Sequence, residues 1–151
     1  MYAIAIDGPA GAGKSSVAKA AAKALGFVYV DTGALYRTVG LYLLRSEVDP
    51  ADAEAVEPKL RDIQVDLKYE DGVQHVILNG EDVSGLIRTP KVSMAASACA
   101  SVPAVRKFLF SAQVDMAKKY NVIMDGRDIG TTILPNRSEE HTSELQSRIT
   151  I

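Results

Sequence analysis

Hydrophobic and polar positions change rhythm several times along this chain, and each rhythm predicts a different element. Residues 2–6 (Tyr-Ala-Ile-Ala-Ile) are an unbroken apolar run that stops at Asp7 and Gly8. Such a run reads as a strand of a parallel sheet, covered on both faces. From about Lys14 to Leu25 the period becomes helical. Val17, Ala18, Ala21 and Leu25 fall on one face, and Gly26 is placed to stop the helix. Residues 27–30 (Phe-Val-Tyr-Val) read as a second strand ending at Asp31, and a second helix is predicted from about Ala34 to Arg45. Strand, helix, strand, helix predicts a right-handed βαβ unit and a parallel sheet.

The pattern then breaks. A short helix is predicted from Pro50 to about Arg61, after which Ile63, Val65, Leu67 and Tyr69 alternate with polar residues as in a half-exposed strand. Asp71-Gly72 and Asn79-Gly80 are hairpin turn signals flanking residues 73–78. Residues 62–88 therefore read as a small antiparallel insertion on a parallel α/β core. Thr89-Pro90 opens another helix, and Pro103 opens a longer one to about Tyr120 with Val105, Leu109, Ala112 and Met116 as its apolar stripe. Residues 122–124 (Val-Ile-Met) are a third buried strand, again followed by an aspartate, Asp125. From Arg137 on, apolar periodicity disappears. A solvated tail would look like this, but residues 137–147 also match one reading frame of a common short-read sequencing adapter. We read 137–151 as a non-native tail and residues 1–136 as a partial core.

Composition narrows the classes. The chain has 151 residues, 47% hydrophobic and 24% charged, which excludes disorder as its main character. Its net charge of −2 lacks the basic excess of a duplex-DNA binder or a membrane-surface protein. No apolar stretch approaches the ~20 residues that span a bilayer. The start has no basic segment, so no signal peptide is expected. Cys99 is the single cysteine, which points to a reducing, cytoplasmic compartment. It sits among alanines and reads as a buried inert thiol, while His75 and His141 are too isolated for a zinc site.

The chemistry begins at Gly8-Pro9-Ala10-Gly11-Ala12-Gly13-Lys14-Ser15, which fits G-x-x-x-x-G-K-S/T, with Ser16 following. Glycines remove side chains so that successive backbone N–H groups can close around phosphate oxygens. The positive end of the next helix faces the same anion. Lys14 brings an ammonium to the β- and γ-phosphates, and the Ser15 hydroxyl reaches Mg²⁺. A chance glycine-rich turn would not need a buried strand before it and a helix after it; this motif has both.

Two further segments follow apolar strands. Thr32 and Arg37 come after Asp31; Thr32 also suits a helix N-cap, and Arg37 suits a solvated cation or a bidentate phosphate ligand. Asp125 ends the third strand as a Mg²⁺-binding or water-positioning carboxylate would, next to the phosphate-loop strand. Arg127 and Asp128 by themselves read as a surface pair, and Ser97 as a packing residue on an alanine-rich helix. Arg106 lies near a helix start, where a cation opposes the dipole.

Together these motifs resemble the bacterial cytidylate kinases. The resemblance rests on residues 6–15 and 31–37, on Leu78-Asn79-Gly80-Glu81-Asp82-Val83-Ser84 with Ile87-Arg88-Thr89, and on residues 124–131, in the right order over about residues 2–136. It implies a P-loop core, a monophosphate-binding insertion at 62–88 and a mobile lid, and transfer of the ATP γ-phosphoryl group to CMP or dCMP with Mg²⁺. It implies that Gly8–Ser16 bind ATP and that Ser15 and Asp125 hold the metal, Asp125 directly or through water. Thr32, Arg37, Ser97, Arg106, Arg127 and Asp128 would surround CMP, with Lys14, Arg127 and Asp128 catalytic. Ser97, Arg106 and Asp128 would face the pyrimidine, and Arg37 and Arg127 its phosphate; Thr32 replaces the serine often found there. The family continues past Pro135 with a strand, an arginine-bearing lid and closing helices, so a lid and the last core elements are expected to be missing here and the fragment inactive. A nucleotide-binding remnant without turnover and another P-loop monophosphate kinase are the alternatives, the latter disfavoured by the 62–88 insertion. No nucleic acid or membrane partner is expected, and a monomer is.

Overall fold

Why residues 14–25 form a helix is visible at its end. In the computed structural model, which describes residues 3–7, 14–70 and 73–126, Gly26 has φ +70° and the Phe27 N–H donates to the Ala22 carbonyl at 2.9 Å. That is the long bond of a Schellman stop, which a residue with a side chain would close under strain. The helix, α1 (Lys14–Leu25), belongs to a first compact unit with strands β1 (Ala3–Asp7), β2 (Val28–Asp31) and β6 (Val122–Gly126).

The three strands form a parallel sheet in the order β1-β6-β2. The β1–α1–β2 crossover thus skips one strand position, and β6 fills it. Val122, Ile123 and Met124 are completely buried, as a central parallel strand should be. α1 rests on the sheet through Ala18 and Ala22, which cluster with Tyr29 and Ile123, while Ala21 and Phe27 pack against them partly buried. This corrects the expected face of α1. Val17 and Leu25 are 42% and 54% exposed, because alanines four residues apart let the helix lie close to the sheet and the longer side chains turn outward.

The second unit, Gly33–Ala112, is built separately. α2 (Thr32–Arg45) starts directly where β2 ends, two residues earlier than the sequence suggested, and buries Leu35, Val39, Leu41 and Leu43. α3 (Ala53–Lys59) starts later than Pro50 because Asp52 caps it, its carboxylate accepting from the N–H groups of Glu54 and Ala55 at 3.2 and 3.3 Å. A short 3-10 turn, Leu60–Asp62, closes it.

Then come β3 (Val65–Glu70), β4 (Val73–Leu78) and β5 (Glu81–Asp82), an antiparallel sheet in that order. Positive φ at both Asn79 (48°) and Gly80 (84°) marks the two-residue turn that the sequence signalled. The other expected turn, Asp71-Gly72, lies outside the described residues, between the paired Glu70 and Val73. Leu67, Val76 and Leu78 are buried from this sheet. Side chains of the Asn79–Ser84 segment hold it. Asn79 Oδ1 accepts from the Gln64 N–H at 2.7 Å, and the Ser84 hydroxyl donates to Asp82 at 2.6 Å while accepting from the Val76 N–H at 2.8 Å. Arg45, at the end of α2, donates to both Glu81 oxygens at 2.7 and 3.0 Å.

α4 (Pro90–Cys99) is capped by the Thr89 hydroxyl, which accepts from the Val92 N–H at 3.2 Å. α5 (Pro103–Lys119) buries the expected Val105, Leu109 and Met116, with Ala112 only partly covered. No helix among the described residues is long and apolar enough to cross a membrane.

Candidate functional site

Ligands of open parallel sheets sit beyond the carboxyl ends of the strands. Here Ile6 of β1 is in register with Asp125 of β6, Asp7 with Gly126, and Asp31 of β2 also with Asp125. All three strands therefore finish at one edge. Six residues, Gly8–Gly13, separate Asp7 from the first residue of α1; the expected phosphate cradle falls on them and lies outside the described residues. Lys14 and Ser15 open α1, and Ser16 follows, exposed. The first turn of α1 itself carries no acidic residue.

The residues fit Mg²⁺. That ion takes oxygen ligands, commonly one or two from the protein with the rest from phosphate and water. The two residues expected to hold it, a serine in the first turn of α1 and an aspartate on the strand beside β1, are of the oxygen-bearing type that such an ion takes. No group of three His, Cys, Asp or Glu residues among the described ones forms a metal cage of its own.

Of the residues that the resemblance assigns to CMP, Thr32 opens α2, half-buried. Within the second unit, Arg37 is half-buried on α2, while Ser97 on α4 and Arg106 on α5 are exposed. The three helices meet around Tyr36. Its carbonyl lies 4.0 Å from the Cys99 Sγ. Burial raises the Tyr36 phenol above its ordinary value, the Arg106 guanidinium pulls it back down, and Cys99 adds a smaller upward push. Cys99 itself is fully buried, and burial pushes its thiol up to about 11. This is the inert thiol that its alanine surroundings suggested. Arg127 and Asp128 lie outside the described residues.

Sequence reasoning missed two relationships. Tyr36 and Cys99 carried no signal as neighbours, because α2 and α4 are distant in sequence. His75 looked isolated, yet its Nδ1 is 2.6 Å from the Asp82 carboxylate; β4 and β5 pair antiparallel, and that pairing brings the two together.

A parallel sheet whose first strand leads through G-x-x-x-x-G-K-S into a helix, with an aspartate in register on the adjacent strand, defines a P-loop nucleotide-binding α/β protein. The family model for cytidylate kinase matches residues 4–139, and the chain belongs to the cytidylate kinase family. A cytidylate kinase of Caldicellulosiruptor bescii is 50% identical over 133 residues, 88% of this chain and 59% of that protein. One of Lactobacillus gasseri is 47% identical over 136 residues, 90% of this chain and 59% of that protein. A bifunctional pantoate ligase/cytidylate kinase of Synechococcus is 49% identical over 134 residues, 88% of this chain and 28% of that protein. The chain thus spans about three-fifths of the length of the single-function relatives named here.

Proposed function

We propose that the whole protein transfers the γ-phosphoryl group of ATP to CMP or dCMP, giving ADP and CDP or dCDP. The observation that carries this reading is the register of Asp125 beside Ile6, next to the strand that runs into the phosphate loop of a cytidylate kinase family chain. An oxygen of the CMP phosphate attacks the γ-phosphorus as the bond from that phosphorus to the bridging oxygen of ADP breaks. The protein's part is positioning and charge neutralisation.

Backbone N–H groups of the 8–13 loop, all but that of Pro9, which has none, would cradle the phosphates of ATP, Lys14 neutralises charge on the β- and γ-groups, and Ser16 completes the donor side. Ser15 and Asp125 would hold Mg²⁺, which when bound screens the phosphate charges. Arg37 and Arg127 hold the CMP phosphate, and Thr32 supports it with a hydroxyl. Ser97, Arg106 and Asp128 read the pyrimidine. A carboxylate at 128 accepts from the cytosine amino group and repels the carbonyl that uracil has in its place. Arg106 donates to the ring carbonyl and N3. Residues 62–88 serve as the CMP-side insertion, and the protein acts as a cytoplasmic monomer.

Calorimetric titration of CMP, dCMP and UMP tests the acceptor side. CMP and dCMP should bind and UMP should bind more weakly, and Arg106→Ala should weaken all pyrimidine binding without changing ATP binding. Equal affinity of wild type and Arg106→Ala for CMP would refute the assignment.

A further inference from the structure

Gly40 stands in the middle of α2, where glycine is among the poorest helix formers. Its φ is ordinary, so the backbone does not require glycine; space does. A Cβ at Gly40 would lie 2.9 Å from the Ala96 amide nitrogen and 3.2 Å from both the carbonyl carbon and the Cβ of Ala95. Two of those three atoms are α4 backbone and cannot swing aside. Gly40 is completely enclosed on this side, and α2 and α4 cross there with their backbones almost touching. The contact continues along the seam, where the Cys99 Sγ sits 4.0 Å from the Tyr36 carbonyl.

We propose that Gly40 is a positioning residue for the monophosphate acceptor: by letting α2 and α4 touch, it sets the spacing between Arg37 and Ser97. This inference rests on the CMP reading given above. Arg37 is three residues before Gly40, on the same side of α2, and Ser97 directly follows the Ala96 that Gly40 meets. Any side chain at 40 must push the two helices apart by several tenths of an ångström. That displacement carries a phosphate ligand away from a base ligand while leaving Lys14 and Ser15, on α1, where they are.

The test is a split between two ligands in the full chain. Gly40→Ala should raise the Kd for CMP by about three- to tenfold, the loss of roughly half to one hydrogen bond's net worth when its two ligands are moved apart. The Kd for ATP should stay within about twofold. The double variant Gly40→Ala/Ala95→Gly removes one of the three close contacts and should recover part of the CMP affinity. Unchanged CMP affinity in Gly40→Ala overturns the proposal, and so does an equal loss for CMP and ATP, which would mark Gly40 as merely structural. Should Gly40→Ala not fold, the double variant decides: a folded protein with weakened CMP and intact ATP binding supports the proposal. A folded double variant with wild-type CMP affinity, or one that also fails to fold, overturns it. A wild type that binds ATP but no CMP sinks the acceptor reading itself, which is a different result from a wild type and variant that bind CMP alike.

Discussion

Asp125 and Ile6 are register partners on neighbouring parallel strands, one residue before the Asp7–Gly126 pair that ends both. The glycine-rich run begins at Gly8, directly after β1, so a carboxylate-bearing position lies at the edge of the sheet where the chain enters that run. The predictions about turnover follow from that edge.

Lys14→Ala should abolish phosphoryl transfer while leaving CMP affinity largely intact. Lys14 opens α1, and in the proposed reading it serves the transferring phosphates, not the pyrimidine. Removing one such charge should lower kcat by about a hundred- to thousandfold or more. Calorimetric titration beside a turnover assay checks this; CMP affinity lost in step with activity would contradict the division of roles.

Asp128→Asn should narrow the preference for CMP over UMP. An amide can donate to the uracil carbonyl that a carboxylate repels, and a good base-edge contact is worth about 1–3 kcal/mol of discrimination. The ratio of kcat/KM for the two substrates measures it. An unchanged ratio would mean that Asp128 shapes the site without reading the base.

Cys99 should resist alkylation in the folded chain. With its thiol pushed up to about 11 by burial, roughly one molecule in a thousand carries a thiolate near pH 8, and the thiolate is the nucleophile. Iodoacetamide should label it readily only in denaturant. Fast labelling under native conditions would mean that the α2–α4 seam opens far more often than its close packing allows.

Acid should erase one contribution of the antiparallel sheet. The Asp82 carboxyl is held below its ordinary 3.8, first by the Ser84 hydroxyl, then by the Ser84 N–H and His75. A folded-state value below the unfolded one stabilises above about pH 3.8, and the gain is lost as pH falls through the lower value. The Tm difference between wild type and Asp82→Ala should therefore be largest near neutrality and shrink toward about pH 2. A constant difference would show that the charge on Asp82 contributes nothing.

Much of the local architecture was readable from residue order. α1 and β4 fall where periodicity and turn residues put them, because Gly26 and Asn79-Gly80 impose backbone angles that few alternatives satisfy. The start of α3 was not, because Asp52 caps more strongly than Pro50 initiates. The face of α1 was misread because hydrophobicity alone favours Val17 and Leu25, whereas close packing on a sheet favours Ala18 and Ala22. For the site, the phosphate-loop reading came from residue types and their order alone, and its glycines lie outside the described residues. Ser97 read as a packing residue, and Arg37 and Arg106 gave only a half-signal each, a candidate phosphate ligand and a cation set against the helix dipole, until the family resemblance singled all three out. The Tyr36–Cys99 and Gly40–Ala96 approaches depend on how two distant helices cross, which no local pattern encodes.

Transfer of label is the most direct test of the central claim. The whole protein, supplied with Mg²⁺ and ATP radiolabelled at the γ-phosphate, should place the label on the β-phosphate of CDP when CMP is present, with ADP and CDP formed in equal amounts. UMP and AMP should accept it poorly. ADP released at the same rate without CMP, or label passing to AMP or UMP faster than to CMP, would contradict the account.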